Sequence, residues 1–177
     1  KLMFLIISCS SDDDDAFDLV THLEGNLEIR SIKDLEDPVI QAYKTISGNL
    51  IINYTEDVED LSGLKNLEVI NGGVIIRYNN NLKSLRGLEN ITKLDFLEIE
   101  YNLELASLSG LENLTNILNS LHISKNYKLK TLNLNSLNSI GSQFFLGNND
   151  LINLNGLESL TEVPQIIIQN NIKLINS

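Results

Sequence analysis

The 177-residue chain is poor in the side chains that most often staple a fold or carry chemistry. Its single cysteine, Cys9, excludes an intramolecular disulfide, so no cystine framework holds it together. It has two histidines, His22 and His122, and neither has a second histidine or cysteine at ligand spacing, so no metal site is expected. There is no glycine-rich phosphate loop and no nucleophile elbow, and no cofactor is expected. Positive charge is also scarce: 13 Lys and Arg stand against 24 Asp and Glu, a formal net charge of -11. Such a surface repels phosphate backbones and anionic headgroups, which argues against nucleic-acid binding and electrostatic membrane docking. The apolar run at residues 2–8 is far too short to span a bilayer.

What the chain has is a recurring phrase. Leu61-Ser-Gly-Leu64, Leu85-Arg-Gly-Leu88, Leu108-Ser-Gly-Leu111 and Leu154-Asn-Gly-Leu157 repeat one pattern, and Leu134 marks a shorter copy that lacks the glycine. The phase advances by about 23 residues each time, a period that points to a solenoid. Before each phrase lie apolar residues that alternate: Leu50 and Ile52, Val74 and Ile76, Leu97 and Ile99, Leu121 and Ile123, Ile166 and Ile168. Period two puts them on one face of a strand. Asparagine follows at Asn79, Asn102, Asn126 and Asn171, where its side chain can bond turn backbone and stack as a ladder between coils. In the fifth unit either Asn148 or Asn149 can fill that place.

The apolar positions after the asparagine fall three apart, as in Leu82, Leu85, Leu88, Ile91 and Leu94. One straight α-helix could not bury all five, because 3.6 residues make a turn. A coil that bends around its own interior can, with Gly63, Gly87, Gly110 and Gly156 at the joints. The predicted fold is therefore a mainly β solenoid with coils of 23–24 residues, covering 24–177, in which each coil depends on its neighbours for burial. A degenerate first coil begins near residue 24, residues 16–23 are placed over its open end, and the last unit reads as cut short.

The start of the chain is organised differently. Residues 1–9 resemble the end of a bacterial lipoprotein signal peptide, with Ile6 where leucine is usual and a small residue, Ser8, before Cys9. The aspartates 12–15 that follow resemble the surface-export signal of Bacteroidota lipoproteins, and residues 10–23 read as an acidic tether and cap. The resemblance implies a lipid on Cys9 and a location on the bacterial cell envelope at the outer-membrane surface, with the membrane reached only through that N-terminal lipid.

The repeat itself, from Gly48-Asn-Leu-Ile-Ile52 through the asparagine to Leu-x-x-Leu-x-Gly-Leu-x-x-Leu-x-x-Ile, resembles the receptor L-domain family. That resemblance implies a right-handed β-helix related to leucine-rich repeats. Members occur in the ectodomains of insulin-type and epidermal-growth-factor-type receptors, whose cysteines this chain lacks.

Side chains free of the core fall in an outward column: Ile51, Ile75, Glu98, His122, Phe145 and Ile167, with Asn53, Arg77, Glu100 and Ser124 beside it. A repeated strand face is the usual recognition surface of a solenoid, and this one carries more exposed apolar residues than solvation asks for. Either a ligand or another segment covers them. Tyr54, Tyr78 and Tyr101 form a further column, which stacking between coils explains more simply than sugar binding. The expected function is non-enzymatic: a surface lipoprotein binding an extracellular protein or polysaccharide. A structural stalk for a larger surface protein is the alternative. A glycan-cleaving enzyme using Glu98 and Glu100 is a remote third.

Overall fold

Leu50 and Ile52 point into a sealed interior while Ile51 and Asn53 on the same strand point out, and this alternation builds the whole molecule. The computed structural model describes residues 20–147 and 149–175, which form a parallel β-solenoid of about six turns. One strand per coil enters a seven-stranded sheet: Leu27–Ile29, Leu50–Asn53, Val74–Arg77, Leu97–Glu100, Leu121–Ser124, Gln143–Gly147 and Gln165–Gln169. These strands are numbered below as coils one to seven. Neighbours in space are neighbours in sequence, and like pairs with like: Leu50 with Val74, Val74 with Leu97, Leu97 with Leu121, Leu121 with Phe144.

A second wall is built from two-residue strands. His22–Leu23, Thr45–Ile46 and Val69–Ile70 form one short parallel sheet, and Lys93–Leu94, Asn116–Ile117 and Ser139–Ile140 form another. Between the walls the chain bends at the glycine phrase. Gly87 and Gly110 hold φ of 113° and 110°, and a Cβ there would overlap the carbonyl oxygens of Leu61 and Leu85 on the preceding coil. Glycine is needed both for the dihedral and for the approach. Glutamate two residues on completes the bend: Glu89, Glu112 and Glu158 accept from the backbone N–H of Gly87, Gly110 and Gly156 at 2.8–3.0 Å.

Two copies of the phrase differ. Gly63 is followed by Lys65 rather than glutamate; it lies in a 3₁₀ turn, Ser62–Leu64, and its missing side chain makes room for the Leu35 carbonyl, which a Cβ would overlap. In coil five Asn133 takes a left-handed φ of 55° at the place of the glycine, a conformation asparagine tolerates better than most residues.

The asparagines stitch the coils together along the buried inner edge of the sheet. Asn79, Asn102, Asn126, Asn149 and Asn171 each give a side-chain N–H to a strand carbonyl of the coil before, those of Ile52, Ile76, Ile99, Ile123 and Leu146, at 2.8–3.2 Å. Each amide oxygen accepts from the backbone N–H of the ladder residue before it, at 3.0–3.1 Å. Thr55 starts the ladder, donating its own N–H and hydroxyl to Asn79 Oδ1 at 3.0 and 2.9 Å. In coil six Asn149 occupies the place, three residues beyond Leu146 as in the neighbouring coils, so the missing residue was lost after the asparagine.

The ends depart from the repeat. Where the first coil loses its leucines the chain forms two short helices, α1 (Ile32–Glu36) and α2 (Pro38–Ala42). Asp34 folds back to accept from the N–H of Ser31, and Asp37 accepts from Val39 N–H with Pro38 opening α2. Within the segment expected to cover this end, His22–Leu23 runs beside Thr45–Ile46 as one more parallel rung, because its backbone pairs laterally. At the other end Ile166 and Ile168 keep the inward phase but are 52% and 39% exposed, since among the described residues no strand lies beyond them. Leu157 and Leu160 are likewise only partly buried, unlike Leu88 and Leu111 in the middle of the stack. Cys9, the aspartates 12–15 and Asn148 lie outside the described residues.

Candidate recognition face

Strand register fixes the outer face of the large sheet as columns running along the solenoid. The central column reads Glu28, Ile51, Ile75, Glu98, His122, Phe145 and Ile167 from coil one to coil seven. The next reads Asn53, Arg77, Glu100, Ser124, Gly147 and Gln169 over coils two to seven. From Ile51 to Ile167 every member of the central column is half-buried, packed between its neighbours with one side open. Ile51 lies against Ile75, and Phe145 against Ile167, so two apolar patches flank a polar band at coils four and five.

That band is internally satisfied. Arg77 Nε donates to Glu98 Oε1 at 2.6 Å from the adjacent coil. Glu100 accepts from Lys125 Nζ at 2.8 Å and from the Ser124 hydroxyl at 3.2 Å. Partial burial opposes the charge on Glu100, but the bonds from Lys125 and Ser124 outweigh it and hold its carboxyl below the usual carboxylate range. Lys125 is pushed up in turn by its bond to Glu100. His122 does not stand free in solvent: its ring stacks on Phe145 at 4.5 Å between centroids, and Nε2 is 3.0 Å from the Ser124 hydroxyl. Ser124, expected beside the open column, is only 2% exposed beneath these groups.

Aromatic rings extend the face on either side of the columns. Phe96 lies over Gly73 of the preceding coil, whose absent side chain leaves the room. Phe145 lies against Gly147 in the same way. Past the strand ends Tyr54, Tyr78 and Tyr101 stack face to face, centroids 4.9 and 4.8 Å apart and planes within 5° and 12°. Lys125 Nζ caps the stack 4.3 Å from the Tyr101 centroid. All four hold φ of 55–58°, so in coils two to five one left-handed residue turns the chain from sheet to ladder. Beside Tyr54 an open depression of about 450 Å³ is lined by Glu28, Ile29, Arg30, Ile51, Asn53 and Tyr54.

Two further asparagines, in the triplets Asn90-Ile-Thr92 and Asn113-Leu-Thr115, are committed to the fold. Asn90 and Asn113 each donate a side-chain N–H to a carbonyl one coil back, those of Lys65 and Glu89, at 2.8 Å. Sequence reasoning missed this second ladder, and it missed Phe96, Lys125 and the Glu28–Arg30 pair. Phe96 was findable, because alternation puts the residue before each inward leucine on the outer face. The face presents paired carboxylates, stacked rings and apolar ridges on a broad surface. Among the described residues no group of His, Cys, Asp and Glu is arranged to hold a metal ion, and no helix is long and apolar enough to cross a membrane.

The family model described as Receptor L domain matches residues 21–89 and again 42–115, two windows offset by about one coil. No curated protein and no solved structure matches the chain.

Proposed function

The chain belongs to the receptor L domain family, whose role is ligand binding without catalysis, and from that premise we propose that it is a recognition module of the bacterial cell surface. Its ligand is an extracellular protein or glycan, held on the outer face of the seven-stranded sheet. The observation that carries this reading is the central column, where Ile51, Ile75, Phe145 and Ile167 stay half-open on a surface whose charges are already paired. Ridges of this kind gain free energy when a partner removes them from water. The intervening ion pairs need no reorganisation, so little ordering cost falls on binding. The lipobox-like residues before Cys9 support tethering by an N-terminal lipid, with the acidic stretch 12–15 as the spacer.

The test is a binding screen of the full chain against purified extracellular-matrix proteins and defined polysaccharides, repeated with Ile75→Asp and Phe145→Ser. At least one ligand should bind, and both variants should weaken it while leaving the urea unfolding midpoint near that of the parent. Silence across the panel, or binding that ignores both substitutions, overturns the proposal.

A further inference from the structure

The tyrosine column stops one coil short of the start of the solenoid. Counting two residues past the second inward position of each strand gives Ser31, Tyr54, Tyr78, Tyr101 and Lys125. At Ser31 the chain turns into α1, where that residue serves as the helix N-cap, so no ring stacks on the outer face of Tyr54. Tyr54 is accordingly 71% exposed, against 37% for Tyr78 in the middle of the stack. Its free face borders the depression whose other walls are Ile51, Asn53, and the ion pair of Glu28 and Arg30.

This combination has a specific chemistry. An exposed aromatic face takes the aliphatic C–H face of a sugar ring. The paired Arg30 and Glu28 offer donors and acceptors together, which is what adjacent hydroxyls require, since each both gives and takes a hydrogen bond. The volume of about 450 Å³ lies at the small end of ligand sites and suits one or two sugar rings. The net charge of -11 disfavours acidic sugars. A protein interface takes roughly 20–30 residues a side, and this depression is lined by six. We infer that the depression beside Tyr54 is a subsite for a neutral glycan, with one pyranose ring stacked on Tyr54 and its hydroxyls held by Arg30 and Glu28. The inference rests on the reading of the adjoining sheet face as a recognition surface.

The test uses the full chain and neutral hexasaccharides of glucose, mannose, xylose and N-acetylglucosamine, with heparin as the acidic comparison. The chain has no tryptophan, so the emission of its five tyrosines is read without tryptophan background, Tyr54→Phe isolates the share of Tyr54, and calorimetry gives affinity. At least one neutral oligosaccharide should saturate, Tyr54→Ala should weaken it by about tenfold or more, and Tyr54→Phe should retain it. Heparin should not compete. No saturation by any of the four up to about 10 mM, or equal binding by Tyr54→Ala, overturns the subsite. If that happens while matrix proteins still bind and Phe145→Ser still weakens them, the subsite is lost and the broader face stands. If saccharide binding depends on Tyr54 while no ligand responds to Ile75→Asp or Phe145→Ser, the broader face is lost and the subsite stands.

Discussion

Asn79 gives two donors to a single oxygen of Asn102, its backbone N–H at 3.1 Å and its side-chain N–H at 2.9 Å. Asn102 repeats the arrangement toward Asn126 at 3.0 and 3.1 Å, and both residues are fully buried. The pair shows why this position is asparagine. It must accept from the coil before and donate both to that coil and to the coil after, and neither a hydroxyl nor a carboxylate can do both at that reach.

Replacing Asn102 should therefore cost more than a surface change. Asn102→Leu leaves the Ile76 carbonyl and the Asn79 N–H without these partners in a dry interior, at about 1–3 kcal/mol each. A loss of about 2–5 kcal/mol in urea unfolding is expected. Stability within about 0.5 kcal/mol of the parent would show that the ladder does not hold the coils together.

Two glycines separate dihedral strain from steric overlap. Gly25 has φ of 100° with nothing within 4 Å of where a Cβ would stand, whereas Gly87 has φ of 113° and the Leu61 carbonyl in the way. Gly25→Ala should cost about 1–3 kcal/mol, the price of an unfavourable dihedral. Gly87→Ala should cost clearly more in the same unfolding assay, and equal costs would place the whole effect in the dihedral.

The tyrosine stack predicts a graded response. Tyr78 has a ring on each side and Tyr54 only one, and asparagine tolerates the left-handed φ both residues hold. With each stacked pair contributing about 0.5–1.5 kcal/mol, Tyr78→Asn should lose about twice what Tyr54→Asn loses. Chemical unfolding of the two variants side by side checks the ratio.

Glu100 gives a pH signature. Its folded carboxyl lies below its ordinary value despite partial burial, through Lys125 and Ser124. The stability it contributes is present above the unfolded value of about 4.3 and fades as pH falls through the folded one. The gap in unfolding midpoint between the parent and Glu100→Gln should be widest near neutrality and narrow below about pH 4. A gap that does not change with pH would remove charge from the account.

The lipid anchor proposed at Cys9 makes a direct prediction. Expressed with its own leader, the protein should partition with membranes, and Cys9→Ser should move it to the soluble fraction. Membrane partition that survives the substitution removes the anchor.

How far the sequence reaches is visible in particular residues. Leu50, Ile52, Val74 and Ile76 could be placed inside from alternation alone, and the ladder from Asn79, Asn102, Asn126 and Asn171, because each recurs at a fixed distance from the strand. Thr55 escaped because it is not asparagine, although it fills the same place and needs only to donate. The choice of Asn149 was open because a one-residue deletion can be absorbed on either side of the turn. The α1–α2 segment looked merely degenerate, since five-residue helices leave almost no periodic trace.

Of the outer face, the sequence could say which side chains point outward but not what each touches. Ser124 disappears under His122 and Glu100, His122 leans on Phe145, and Arg77 reaches Glu98 rather than solvent. The sequence by itself determined the winding and its phase, because burial at period two with a return near 23 residues is a local property of each coil. The tertiary structure alone decided which outward groups are paired, which remain open, and that the tyrosine stack ends at Ser31. Those outcomes depend on contacts between neighbouring coils, and such contacts are set by where the backbone turns rather than by any single coil's residues.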